Sequence, residues 1–250
     1  MKKTFLLALL LISAGTSAGG LLFRVAPPTF NYYTLSLSLA PAFCEEGPGR
    51  VRHSRQCNQL TDAEFRSQPL TLHGLWPSRL DRHHPVWCGK DQHEGGRFCR
   101  MDVVPLSSLT RRHLADVMPG ISDCLDRYEW AKHGTCSGMG ADAYFSRAVE
   151  LVDRANHALG RQILSSAGNE IPLVQIRARL SQADPQLTEA TIFDCRSPRG
   201  GGRPMLSEIR IYFEKDPVTG GPGKPLPFRS AGVKNYNSGC PAGRAYIDRP

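Results

Sequence analysis

The stretch Tyr128-Glu129-Trp130-Ala131-Lys132-His133-Gly134-Thr135-Cys136 brings together a carboxylate, an ammonium and an imidazole. On a helix running up to Gly134, Glu129, Lys132 and His133 stand at i, i+3 and i+4 and share one face. Gly134 is then placed to end the helix, and Cys136 to tie that end down. An acid, a fixed cation and a group that titrates near neutrality are what phosphoryl transfer without a metal requires. Alone, such a triple also fits a solvated helix face with an ion pair. A second stretch, Leu72-His73-Gly74-Leu75-Trp76-Pro77, favours the chemical reading by adding another imidazole, delivered by a short strand Pro69-Leu70-Thr71-Leu72. Gly74 leaves room for close approach, and Pro77 is expected to break the strand.

His73-Gly74-Leu75-Trp76-Pro77 and Glu129-Trp130-Ala131-Lys132-His133-Gly134-Thr135-Cys136 resemble the two signature segments of the ribonuclease T2 family, in the same order and about sixty residues apart. With Arg127-Tyr128-Glu129, the likeness is greatest to the bacterial, periplasmic branch. It covers the strand around Tyr32 to Cys44, both signatures and the cysteine layout to Cys240. The resemblance implies an exported endoribonuclease of low base specificity that cleaves RNA, not DNA, to 2′,3′-cyclic phosphate ends. It implies a monomer with no cofactor and no metal. His133 is then the base of the first step and His73 the acid. Lys132 faces the phosphate oxygens, and Glu129 hydrogen-bonds one of them or orients its neighbours. Trp76 is implied to stack on a base, and Tyr128 to hydrogen-bond a phosphate where many members carry histidine. Ser78 stands where members often carry an acidic residue. The alternative is a catalytically inactive, secreted RNA-binding or toxin-like member. A metal-dependent nuclease would have to use His83, His84 and His93 beside Asp81, Asp91 and Glu94, but these lack the spacing of a helical metal site and read as a surface loop.

The segment 1–18 has a basic start at Lys2 and Lys3, an apolar run from Phe5 to Ile12 and small residues up to Ala18. It reads as a secretory signal peptide cleaved after Ala18, too short for the roughly 20 residues that span a bilayer. Residues 19–250 are then expected to form one catalytic domain in the periplasm or outside the cell. Eight cysteines in an exported chain, none in a C-x-x-C pair, favour disulfides over zinc. The family resemblance implies Cys88–Cys136 and Cys195–Cys240; proximity in sequence adds Cys44–Cys57 and Cys99–Cys124. A net charge of +8 has the sign that suits a polyanionic partner, without a basic run that would mark a binding arm.

The elements that must position the two stretches are legible as patterns. Leu35, Leu37 and Leu39 alternate with serines, the sign of a strand with one buried face. Cys44 to Cys57 reads as an exposed polar loop, and Leu109, Leu114 and Val117 as the buried positions of a helix opened by residues 105–110. An amphipathic helix is expected from Ala141 to Gly160, capped by Asp142 and closed by Gly160, and another through Ile176 and Leu180. Residues 190–195 and 207–213 read as strands, joined by a hairpin loop at Gly200-Gly201-Gly202. Strand, helices, then strands imply an α+β fold around a largely antiparallel sheet.

Overall fold

The computed structural model describes residues 29–47, 49–89, 97–198, 201–233 and 236–250. The segment read as a signal peptide, with Asp91, His93, Glu94 and Gly200, lies outside these. Seven strands form one sheet: β1 (Tyr32–Ser38), β2 (Thr71–Ser78), β3 (Glu170–Pro172), β4 (Thr191–Arg196), β5 (Met205–Lys215), β6 (Pro222–Pro225) and β7 (Arg244–Tyr246). The order is β2-β1-β5-β7-β3, with β4 and β6 also paired to β5. All pairings are antiparallel except β5 with β7. The fold is therefore α+β with a mostly antiparallel sheet. Gly201 and Gly202, both at positive φ, lie in the connection from β4 to its antiparallel neighbour β5, as a hairpin loop requires.

Helices surround the sheet: α1 (Ala40–Glu46), α2 (Gly49–Arg52), α3 (Arg55–Asn58), α4 (Asp62–Ser67), α5 (Ser108–Val117), α6 (Leu125–Lys132), α7 (Ala141–Ser166), α8 (Leu173–Ala183) and α9 (Pro185–Thr188). Most of the described residues between Cys44 and Cys57 thus lie in short helices rather than a plain loop. Pro41 in the first turn starts α1, and Ser54 caps α3 through the Cys57 N–H. In α5, Leu114 and Val117 are buried as expected, but Leu109 is 56% exposed and Thr110 takes the inward place beside the Ser107 cap. The long α7 begins after Gly140, and Asp142 instead accepts a hydrogen bond from the Ser107 N–H, tying α7 to the start of α5. Gly160 does not close α7. It is buried within the helix, where a Cβ would lie 3.1 Å from Pro69 Cγ, so its lack of a side chain brings α7 close to the start of β2.

The apolar core lies between α7 and one face of the sheet. Tyr33, Leu35 and Leu37 of β1, Leu72 and Leu75 of β2 and Ile209, Ile211 and Phe213 of β5 meet Ala148, Val152, Ala155 and Leu159 of α7. The opposite face of β1 was expected to be exposed; every residue of the strand is buried. Tyr32 joins a second apolar cluster with Ile192, Tyr212 and Ala231, while Thr34 and Ser36 engage side chains of β2. The site is built on this second face.

Two irregularities of β2 matter for what it carries. Gly74 pairs with Ser36 and Leu72 with Leu37, so His73 is an extra residue in a β-bulge. Strict alternation would aim His73 at the core side with Leu75. The bulge turns it instead toward Ser36, on the polar face. Pro77 does not break the strand, which runs on to Ser78. Among the described residues β2 pairs with β1 alone and so lies at the sheet edge, where a missing N–H on the outer side costs no ladder bond.

Candidate active site

The helix α6 holds one half of the site and β2 the other. Helical geometry sets Glu129 and Lys132 on neighbouring turns and leaves His133 as the C-cap, its N–H donating to the Glu129 carbonyl. Gly134 opens a short 3₁₀ turn, Gly134–Cys136, instead of capping α6 through a left-handed conformation. Glycine is required there for space: a Cβ would lie 2.2 Å from the Trp130 ring. Trp130 packs edge-on against Tyr144 of α7 and so locks α6 to the scaffold. Beyond the helix, the Trp87 N–H donates to the Lys132 carbonyl, satisfying an orphan acceptor of the last turn. The adjacent Cys88–Cys136 disulfide ties that loop to the 3₁₀ turn. At the other end, Cys124 precedes α6 in a left-handed conformation and is bonded to Cys99. The remaining bridges are Cys44–Cys57 and Cys195–Cys240.

The two halves meet at Trp76. Its indole Nε1–H donates to Glu129 Oε2 at 2.8 Å. Its ring lies between the imidazoles, 5.2 Å from His73 in an edge-on contact and 5.4 Å from His133. Gly74 makes this junction sterically allowed, because a Cβ would fall 2.1 Å from Glu129 Oε2 and 2.3 Å from Trp76 Nε1. His73, Trp76, Glu129 and His133 thus form one cluster. Lys132 and Tyr128 lie beside it on α6, joined by a hydrogen bond from Nζ to the phenol oxygen at 2.9 Å. Tyr128 stacks on Phe98 at 4.3 Å. Ser78 is buried and shares its hydroxyl with Thr34 at 3.0 Å, so the position faces the sheet.

Sequence reasoning missed Glu208, Ser36 and Phe98. Glu208 Oε2 lies 3.4 Å from His73 Nδ1, and Ser36 Oγ lies 3.5 Å from the same nitrogen. The alternation of β5 put Glu208 and Arg210 on one face, two residues apart, but nothing in it showed that this face is covered.

The electrostatics of the two imidazoles diverge. Burial depresses the His133 pKa to about 3, with Lys132, His73 and His84 adding repulsion. Only 8% of His133 is exposed, and its Nδ1 is buried with no hydrogen-bond partner among the described residues. Burial acts against the charged form of His73 too, but the hydrogen bond to Glu208 and the charges of Glu129 and Glu208 outweigh it and raise its pKa. Some 37% of the His73 side chain remains accessible to a substrate. Glu129, 1% exposed, is raised by burial in spite of His73, the Trp76 hydrogen bond and Lys132. Glu208 goes the other way. Burial would raise it, but hydrogen bonding to His73, the His73 charge, Ser36 and Arg210 hold it below the usual carboxylate value.

Such a site can hold one imidazole neutral and another protonated at the same pH, beside a lysine ammonium. Among the described residues, no group of three or more His, Cys, Asp or Glu is arranged to hold a metal ion.

The chain is 28% identical to Ribonuclease I of Escherichia coli (strain K12), over 76% of this chain and 77% of that one. It is 33% identical to a probable ribonuclease of Haemophilus influenzae, over 74% of this chain and 58% of the relative. The crystal structure of RNase NT in complex with 5′-AMP superposes with a TM-score of 0.59 at 15% identity, covering 88% of this chain and 99% of that one. The model of the Ribonuclease T2 family matches residues 30–219, and the chain belongs to that family.

Proposed function

We propose that this T2-type endoribonuclease cuts RNA with the 2′-hydroxyl of the substrate as nucleophile and His133 and His73 as base and acid. Neutral His133 takes the 2′-hydroxyl proton as O2′ bonds to phosphorus. Protonated His73 gives its proton to O5′ as the P–O5′ bond breaks. The products are a 2′,3′-cyclic phosphate and a free 5′-hydroxyl, and water can open the cycle with the two roles reversed. Lys132 offers a fixed charge to the phosphate oxygens, where preorganised charge lowers the barrier most. Glu129, anchored by Trp76, orients the helix that carries His133 and Lys132. Trp76 also presents an aromatic face on which a base can stack, and Tyr128 offers a phenol beside Lys132.

The observation that carries this reading is two imidazoles in contact with one indole, one buried at the end of the helix that carries Lys132 and the other 3.4 Å from the Glu208 carboxylate. Four disulfides fit an oxidising compartment, in line with export directed by the basic and apolar N-terminal segment. No helix among the described residues is long and apolar enough to cross a membrane. Base, acid and cation all come from side chains, so the proposed route needs no metal. Digestion of RNA and of matching DNA in the presence of a chelator tests it. RNA cut to 2′,3′-cyclic ends with DNA intact is expected; DNA cleavage, or loss of activity on chelation, would exclude 2′-hydroxyl attack by this route.

A further inference from the structure

The polar face of the sheet carries a line of charged groups leading away from His73 that the proposed chemistry does not use. It crosses β1 to Glu208 on β5. Arg210 Nε approaches Glu208 Oε1 at 3.5 Å. Arg210 is itself held by Asp194 of β4, through Nε at 2.7 Å and Nη2 at 2.5 Å. The Tyr236 hydroxyl donates to the other Asp194 oxygen at 2.8 Å. Every member sits on a strand or is bonded to one, so the carboxylate of Glu208 has little freedom, and only 15% of its side chain is exposed.

We propose that Glu208 is a positioning residue for His73: held by Arg210 and Ser36, its carboxylate accepts from Nδ1–H, fixes the ring and leaves Nε2 to deliver the proton. The proposal rests on His73 acting as the acid. A carboxylate can only accept, so Nδ1 keeps its hydrogen throughout, while the Nε2 proton goes to O5′. The geometry of the bulge makes this possible, since without it His73 would face the core and not Glu208. Other charged groups face His73 as well. Glu129 and Lys132 do so from α6 with opposite signs, and His133 lies at the end of that helix. Glu208 in turn faces Arg210 and the half-buried Glu46 at the end of α1, whose own pKa burial lifts to about 7. With Glu129 still in place, removal of the Glu208 charge should weaken the hold on the imidazolium only in part.

The experiment is E208Q, with E208D as the charge-retaining control, read by two signals: the alkaline limb of kcat/KM against pH, and the His73 ring proton titration followed by NMR. An opposite charge at this distance shifts a pKa by about 1 unit or more. E208Q is therefore expected to move both the His73 titration and the alkaline limb about one pH unit lower, a tenfold loss of rate above the limb, with E208D recovering most of it. An unmoved His73 titration in E208Q overturns the role of Glu208 and leaves His73 as the acid. A His73 titration that falls while the alkaline limb stays put shows that His73 is not the acid, and the proposal fails with that reading. If E208Q does not fold, the unsubstituted enzyme answers: its Glu208 carboxyl carbon must shift as His73 titrates, and a flat response overturns the proposal.

Discussion

His133 and His73 carry the same ring into different surroundings. One is packed under Trp76 beside a lysine with its Nδ1 lacking a partner among the described residues; the other is braced by a carboxylate on the same face of the sheet. That difference has a consequence for stability as well as for rate. The folded-state pKa of His133 is lowered to about 3 from an ordinary value of 6.5, so the unfolded chain binds this proton more readily. The neutral ring therefore contributes its full stability above 6.5, and this is lost as pH falls toward 3. Glu129 works with the opposite sign, since its pKa is raised and its contribution is lost as pH rises. H133A should remove a proton transfer worth roughly 10²–10⁴-fold in kcat. It should also lose less melting temperature than the wild type between about pH 7 and about pH 4. A variant with wild-type activity, or one whose acid sensitivity matches the wild type, would show that His133 is neither the base nor buried neutral. The proposed set His73, Glu129, Lys132 and His133 came from two stretches that resemble the family's signature segments, and the structure brings these residues together. Glu208 was not legible, because a Glu alternating with Ile on a strand reads as solvent-facing until the covering layer is known.

At the scale of elements, a helix running up to Gly134 was supposed because it sets Glu129, Lys132 and His133 on one face, and the strands were read from alternation. What periodicity could not carry was any break in it. The bulge at His73 depends on the register between β1 and β2, and the persistence of β2 through Pro77 depends on its place at the sheet edge. Both are tertiary facts. The glycines show the same limit: Gly134 and Gly160 were assigned to helix ends, whereas each serves a close approach, to Trp130 and to Pro69. Gly74 is the position where an element-scale change should be felt most directly at the site. Its Cβ in G74A would sit 2.1 Å from Glu129 Oε2 and 2.3 Å from Trp76 Nε1, so strand and helix must part. A misplacement of about 1 Å in a catalytic group costs on the order of a hundredfold. G74A is expected to lose at least that in kcat/KM while its circular dichroism stays native. Retention of full activity would mean that the Trp76–Glu129 junction does not align the site.

In the whole molecule, the site draws on β1, β2, α6 and β5, segments spread from Ser36 to Arg210. The sheet supplies the face, and disulfides at both ends of α6 hold that helix against it. The α+β class and its largely antiparallel sheet were readable from the order of elements, because each buries one apolar stripe against another. The polar face was not, since its cover comes from Leu226, Phe228, Ala231, Val233 and Tyr236, which show no periodic signal. The net charge of +8 favours encounter with a polyanion but says nothing of the bond that breaks. In the proposed mechanism that bond depends on two histidines held in opposite protonation states. The pH dependence of kcat/KM on a short RNA substrate tests this most directly. The account requires a broad bell, with its acid limb far below 6.5 from His133 and its alkaline limb above 6.5 from His73. A rate that climbs steadily into the alkaline range, with no descending limb, would contradict it.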